Sequence, residues 1–208
     1  MCGYPRNLNF FKNEVPSHAG VRIIYAPTYR MGASMERRMV DTFLRAVPEL
    51  DEFLERRSAE FVLRLHPHTW RDYSVDIKRT LANRPRFSIS SEPDIYKELH
   101  EYSVMVADYS SITQDFLVGG RPVVYFAFDR EEFLKSDCGL NMSYEENCAG
   151  PVTTTWAEAI AGIEAALDNP EEYAEKRRIV CEKFFPSRYN DVDNSERIVN
   201  EIKRRLGI

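Results

Sequence analysis

The chain has 208 residues, with 28 Lys and Arg against 33 Asp and Glu for a formal net charge of −5. Its 43% hydrophobic and 29% charged residues suit a globular domain that buries a full core without disulfides or a structural metal. The acidic surplus excludes a general nucleic-acid binder, and no apolar run approaches the roughly 18 residues of a membrane span.

In chain order, Met1–Arg6 leads into polar residues and not the apolar core of a signal peptide, so the cytoplasm is the expected compartment. Residues 21–26 read as a buried strand, stopped by Pro27. Met39, Phe43, Leu44, Val47, Leu50 and Leu54 have helical spacing within 35–57, with Pro48 expected to break or kink the helix. A second strand over 61–65 ends at Pro67, a helix follows over about 73–83, and a short strand occupies 86–89. Pro93 and Asp94 are placed to open a helix through about Glu101. A strand over 103–107, a helix over 111–118 ended by Gly119-Gly120, and a strand over 122–126 complete the alternation. Residues 128–150 read as a loop. Thr155 and Glu158 then form a capping box for a helix over 156–167. Helices from Pro170 to about Lys183 and from Ser195 to Leu206 close the chain, the last with Ile198, Ile202 and Leu206 on one stripe expected to pack back on the sheet.

Five apolar strands separated mainly by helices predict an α/β fold, a Rossmann-like parallel sheet flanked by helices, in one domain over 1–208. Ligands in such sheets bind beyond the carboxyl ends of the strands. Three polar segments fall there: Thr28-Tyr29-Arg30, Arg64 with His66 and His68, and Asp108-Tyr109-Ser110-Ser111 at a helix start. Serine hydroxyls and free N–H groups at a helix N-terminus suit a phosphate. His66 is the better functional candidate of the two histidines, for phosphate contact or proton transfer; a metal site would need a third ligand nearby. Cys2, Cys138, Cys148 and Cys181 are too scattered for a zinc site or a disulfide framework. No G-x-G-x-x-G, P-loop or G-x-S-x-G is present, which removes the usual support for nicotinamide, ATPase and hydrolase readings.

An ordered series of short stretches carries a resemblance. It comprises Gly3-Tyr4-Pro5-Arg6-Asn7, Ile24-Tyr25-Ala26-Pro27-Thr28-Tyr29-Arg30, Arg64-Leu65-His66-Pro67 and Asp94-Ile95-Tyr96. It continues with Ala107-Asp108-Tyr109-Ser110-Ser111, Asp115-Phe116, Arg121-Pro122, Phe128-Asp129, Gly150-Pro151-Val152 and Asp193-Asn194-Ser195. In this series the chain resembles the CDP-glycerol glycerophosphotransferase family, which builds teichoic acids and related capsule polymers.

The resemblance implies a domain like the C-terminal nucleotide-binding half of a GT-B glycosyltransferase. It also implies transfer of glycerol phosphate, or a related polyol phosphate, from CDP-glycerol to a polymer hydroxyl, with release of CMP. His66 would stabilise charge in the reaction. Thr28, Arg30, Arg64, Asp108, Ser110, Ser111, Asp193, Asn194 and Ser195 would hold the donor, with no metal and no further cofactor. In the family the Gly-Tyr-Pro-Arg segment follows a first domain that carries an acid/base histidine. The chain is therefore expected to be the donor-binding half, with the polymer acceptor and any peripheral membrane contact, at the inner face of the bacterial plasma membrane, belonging to parts outside it. Where the family has Arg-Gly after Phe133, this chain has Cys138-Gly139. The competing readings are a GT-B half that uses a nucleotide-sugar and a non-catalytic nucleotide-binding module.

Overall fold

A computed structural model describes residues 3–12, 20–135, 142–189 and 191–208. The chain opens with a 3₁₀ turn, Pro5–Asn7, and a single helical turn, α1 (Asn9–Lys12). It then forms β1 (Arg22–Ala26), α2 (Ala33–Arg57), β2 (Glu60–Leu63), α3 (Pro67–Leu81) and β3 (Phe87–Ile89). Two 3₁₀ turns, Ile95–Lys97 and Leu99–Glu101, lead into β4 (Val104–Ala107), α4 (Ile112–Leu117) and β5 (Val123–Phe126). After these come α5 (Arg130–Leu134), α6 (Tyr144–Asn147), β6 (Val152–Thr153), α7 (Trp156–Asp168) and α8 (Ala174–Phe184). A last 3₁₀ turn, Ser187–Tyr189, precedes α9 (Asn194–Leu206).

The six strands form one sheet in the order β3-β2-β1-β4-β5-β6, and every neighbouring pair is parallel. Alternate residues of each strand point to opposite faces, so the sheet divides two cores. Ile23, Tyr25, Phe61, Leu63, Val104, Val106, Val124 and Phe126 face α2, α3 and α7. Ile24, Ala26, Val62, Met105, Ala107, Val123 and Tyr125 face the other way, toward Leu99, Tyr102, Phe116, Leu117 and Val180. Central strands covered on both faces need apolar residues at every position. β4, read as Val-Met-Val-Ala, has them. The expected Rossmann-like α/β class is the observed one.

Several local expectations are corrected. Pro48 does not break α2, which runs unbroken for 25 residues. Proline forfeits one intrahelical hydrogen bond, but Val47, Leu50, Phe53 and Leu54 around it are fully buried, and that burial outweighs the loss. The helix expected from Pro93 is instead the two 3₁₀ turns. Arg64 takes the carbonyls of Glu92 and Pro93, and Ser90 donates to Glu98, so the backbone is held away from a continuous helix. α3 starts at Pro67, earlier than predicted, because His66 caps it with its ring nitrogen. The predicted loop over 128–150 contains α5 and α6, and β6 adds a sixth strand of two residues, too short to leave a periodic signal. The capping box of α7 forms as expected: Glu158 N–H donates to Thr155 Oγ1 at 3.2 Å, and Thr155 N–H donates to Glu158 Oε2 at 3.0 Å.

The last helix does not pack back on the sheet. Ile202 and Leu206 are 52% and 66% exposed, and Asn194 alone is buried within α9. Both sheet faces are already covered by other helices, so the stripe finds no vacant surface. No helix among the described residues is long and apolar enough to cross a membrane.

Candidate functional site

The strand order reverses between β1 and β4. From β1 the chain crosses outward to β2, and from β4 it crosses in the opposite direction to β5, so the loops after β1 and β4 diverge and leave a crevice. A cleft of about 860 Å³ opens there. Its walls include Thr28 and Tyr29 after β1, Arg64 and His66 after β2, Ser90 to Pro93 after β3, and Ser110 after β4. A second, smaller cavity of about 190 Å³ lies beyond Ser110, lined by Ser111, Thr113, Gln114, Tyr144 and Cys148 among others. Ser110 is a wall of both.

The loops are held by a buried knot of charge. The Arg30 guanidinium donates from Nε to Asp129 Oδ2 at 2.7 Å and from Nη2 to Asp129 Oδ1 at 3.0 Å. Nη2 also lies 2.8 Å from Asp108 Oδ2, and Nη1 donates to the Thr28 carbonyl. Asp108 Oδ1 accepts from Thr28 N–H at 2.9 Å, Thr28 Oγ1 at 2.6 Å and Tyr109 N–H at 2.6 Å. Tyr109 OH donates to Asp129 Oδ1 at 2.9 Å, and its ring stacks on Phe133 at 3.9 Å. Burial alone would lower the Arg30 pKa, but Asp108 and Asp129 outweigh it and hold the guanidinium above its usual range. Burial, then Asp129, pushes the Tyr109 phenol well up. Arg30 and Asp108 were expected to touch the donor. The Arg30 side chain is fully buried and lines neither cavity, whereas Asp108 lines the smaller one, with both carboxylate oxygens engaged by Arg30, Thr28 and Tyr109. Their work is to fix the loops that carry Thr28 and Ser110.

The groups presented to the cleft are different. Arg64 donates from Nη1 to Ser90 Oγ at 3.0 Å and to the Glu92 carbonyl, and from Nη2 to the Pro93 carbonyl at 3.2 Å. All three acceptors are neutral, so its positive charge is not cancelled at contact distance. Lys78, on α3, sits over the Trp70 ring at 5.3 Å and also lines the cleft. Among the described residues the one carboxylate on the cleft wall, Glu92, is paired with Lys97 at 3.3 Å. The wall therefore favours an anion. His66 caps α3: its Nδ1 accepts from His68 N–H at 3.2 Å, and its ring stacks on Tyr29 at 4.8 Å and 29°. His68 stands edge-on to both rings and is not part of the cleft wall.

The helix start expected to meet a phosphate belongs to a short element. α4 has only six residues, and its cap, Ser111, makes no side-chain capping bond. Asp193, Asn194 and Ser195 are not brought to the cleft at all. Asn194 is fully buried, donating from Nδ2 to the Tyr4 carbonyl at 3.3 Å and accepting at Oδ1 from Asp191 N–H at 3.1 Å and Arg197 Nη2 at 2.6 Å. It ties the start of α9 to the Gly3–Arg6 segment. Cys138 and Gly139 lie outside the described residues, as does Cys2. Sequence reasoning missed Lys78, Trp70 and Ser90. The first two sit on a helix face that α3 turns to the cleft, and nothing in their spacing distinguishes them from ordinary surface residues. Among the described residues no group of three or more His, Cys, Asp or Glu is arranged to hold a metal ion.

Comparison with known proteins agrees with this architecture. The chain is 25% identical over 196 residues to the teichoic acid ribitol-phosphate polymerase TarK of Staphylococcus aureus, covering 93% of this chain and 36% of that protein. It is 23% identical to a teichoic acid glycerol-phosphate transferase of the same organism, covering 96% of this chain and 53% of the relative. The chain thus spans about a third to a half of these two proteins. The wall teichoic acid polymerase TagF superposes with a TM-score of 0.68 at 22% identity, over 99% of this chain and 52% of TagF, which establishes a shared fold. The model of the family described as CDP-Glycerol:Poly(glycerophosphate) glycerophosphotransferase matches residues 2–204, nearly the whole sequence. The chain belongs to that glycerophosphotransferase family.

Proposed function

We propose that this chain is the donor-binding domain of a transferase that moves glycerol phosphate, or a related polyol phosphate, from a CDP-linked donor to a hydroxyl of a cell-wall or capsule polymer. The observation that carries the reading is the anion-favouring cleft at the strand-order reversal, in a chain whose family match covers residues 2–204. CDP-glycerol presents a pyrophosphate, and Arg64, Lys78, Thr28, Ser110 and His66 would receive it.

The acceptor hydroxyl oxygen would attack the distal phosphorus. The bond from that phosphorus to the bridging oxygen would break, and the electron pair would leave with CMP. Catalysis of this kind is mainly positioning and charge stabilisation. Arg64 and Lys78 would offset the negative charge on the leaving CMP. The hydroxyl proton needs a base on the acceptor's side of the cleft. A second domain facing the cleft would supply that base and the polymer surface.

Calorimetry with CDP-glycerol, CDP, cytidine and a UDP-sugar tests the donor assignment. The expected order places CDP-glycerol and CDP well above cytidine, since the phosphates make the charge-assisted contacts. Equal affinity for cytidine and CDP overturns the phosphate assignment, and preference for the UDP-sugar supports the nucleotide-sugar reading. CMP release with a lipid-linked primer, in the presence of the complementing domain, separates a transferase from a binding module.

A further inference from the structure

His66 is at once the cap of α3 and a wall of the cleft. Its Nδ1 accepts from the His68 N–H at 3.2 Å, so that nitrogen keeps its lone pair and the ring hydrogen of a neutral imidazole resides on Nε2. A hydrogen on Nδ1 would set two N–H groups against each other and give the His68 N–H over to solvent. The cap therefore selects one of the two ring flips. The tilt of the ring is set separately. Tyr29 lies against its face at 4.8 Å and 29°, and His68 meets its edge at 5.0 Å and 83°.

We propose that Tyr29 is a positioning residue for His66, and that together with the α3 cap it presents His66 to the cleft as an Nε2–H hydrogen-bond donor. The inference rests on the donor-binding role proposed above and assigns His66 a definite part in it. An Nε2 that already carries hydrogen donates to a phosphate oxygen and does not take the proton of the attacking hydroxyl. His66 is then a stabiliser of phosphoryl charge, and the base lies elsewhere.

Two measurements on the 208-residue chain test this. The first needs no ligand: nitrogen NMR of the histidine rings at about pH 8, where an ordinary imidazole is neutral. A hydrogen on Nε2 and a bare Nδ1 for His66 are expected; the reverse tautomer overturns the donor assignment. The second is a double-mutant cycle read by CDP calorimetry. Tyr29→Phe keeps the stack and should lose less CDP affinity than Tyr29→Leu. Tyr29→Leu should weaken CDP by about two- to tenfold, and by nothing further in a His66→Ala background. The same loss in both backgrounds shows that Tyr29 does not act through His66. His66→Asn keeps a capping acceptor, so it should restore the stability lost in His66→Ala without restoring affinity. Recovery of affinity by asparagine would overturn the role of the ring N–H. Absence of CDP binding by the parent chain would count against the proposed function, while the NMR result would still decide the tautomer.

Discussion

Arg30 and Asp129 meet in a buried two-point ion pair, Nε to Oδ2 at 2.7 Å and Nη2 to Oδ1 at 3.0 Å, which joins the loop after β1 to the loop after β5 across 99 residues of sequence. Asp108, after β4, shares the same guanidinium. One arginine thus fixes three strand ends.

Arg30→Met would leave two buried carboxylates without their common cation. Loss of one partner of a buried pair costs about 3–5 kcal/mol, and a marginally stable domain has little more to lose. Arg30→Lys should recover only part, because a compact ammonium cannot span both carboxylates as the planar fork does. Urea unfolding measures both. A lysine variant as stable as the parent would show that the two-point geometry contributes little.

A second prediction concerns the chain's first described residue. Gly3 has φ +89°, and a Cβ there would lie 1.9 Å from the Tyr189 carbonyl oxygen and 2.2 Å from Asn194 Oδ1. The segment it anchors is held further by Tyr4 edge-on to Phe185 at 4.8 Å and by Arg6 Nε donating to Asp115 Oδ1 at 2.8 Å. Gly3→Ala should cost more than about 1 kcal/mol, and should speed hydrogen exchange over residues 4–12 and at the start of α9. Unchanged exchange in both segments would mean that Asn194 does not couple them.

What the sequence disclosed follows from which signals are local. The central strands were legible because a strand covered on both faces is continuously apolar, as Val104 to Ala107 is, and the α7 start because Thr155 and Glu158 satisfy each other three residues apart. The strand ends around Thr28, His66 and Ser110 were legible as polar breaks after apolar runs. Roles within them were not. Arg30 and Arg64 look alike in sequence, each near the carboxyl end of a strand. Only the fold reveals that Arg30 is enclosed by Asp108 and Asp129, 78 and 99 residues away, while Arg64 meets neutral acceptors. The Asp193-Asn194-Ser195 turn was likewise misplaced, because its partner is the Tyr4 carbonyl at the other end of the chain.

Thiol chemistry offers a third test. Cys148 is 2% exposed, and burial pushes its thiol up to about 12; burial likewise pushes Cys181 up to about 11. The thiolate is the species that reacts, so at about pH 8 both are almost wholly in the inert form. Iodoacetamide should label these two positions far more slowly in the folded protein than in urea, as read by peptide mass mapping. Labelling of Cys148 as rapid as in the unfolded chain would show that the wall of the smaller cavity opens readily.

The serines of the β4 loop are adjacent in sequence and unequal in place. Ser110 is a wall of the cleft that also holds His66 and Arg64, whereas Ser111 lines only the smaller cavity beyond it. The Ser110 hydroxyl lies 3.4 Å from the Ile112 N–H, which donates to it weakly at best and leaves its own hydrogen free for an oxygen of the ligand. A hydrogen bond to a charged partner is worth about 1.5–3 kcal/mol, so Ser110→Ala should weaken CDP by about tenfold or more. Cytidine, which has no phosphate, should lose little. Ser111→Ala should leave both affinities near those of the parent, although sequence alone would treat the two hydroxyls as equivalent. Arg64→Met supplies the companion measurement. It removes a cation whose direct hydrogen-bond acceptors are neutral, so it should depress CDP affinity more at low salt than at high salt, where screening already weakens the contact. Titrations of CDP and cytidine against the three variants at two ionic strengths decide the matter. A larger loss at Ser111 than at Ser110 would move the pyrophosphate out of the cleft and into the smaller cavity.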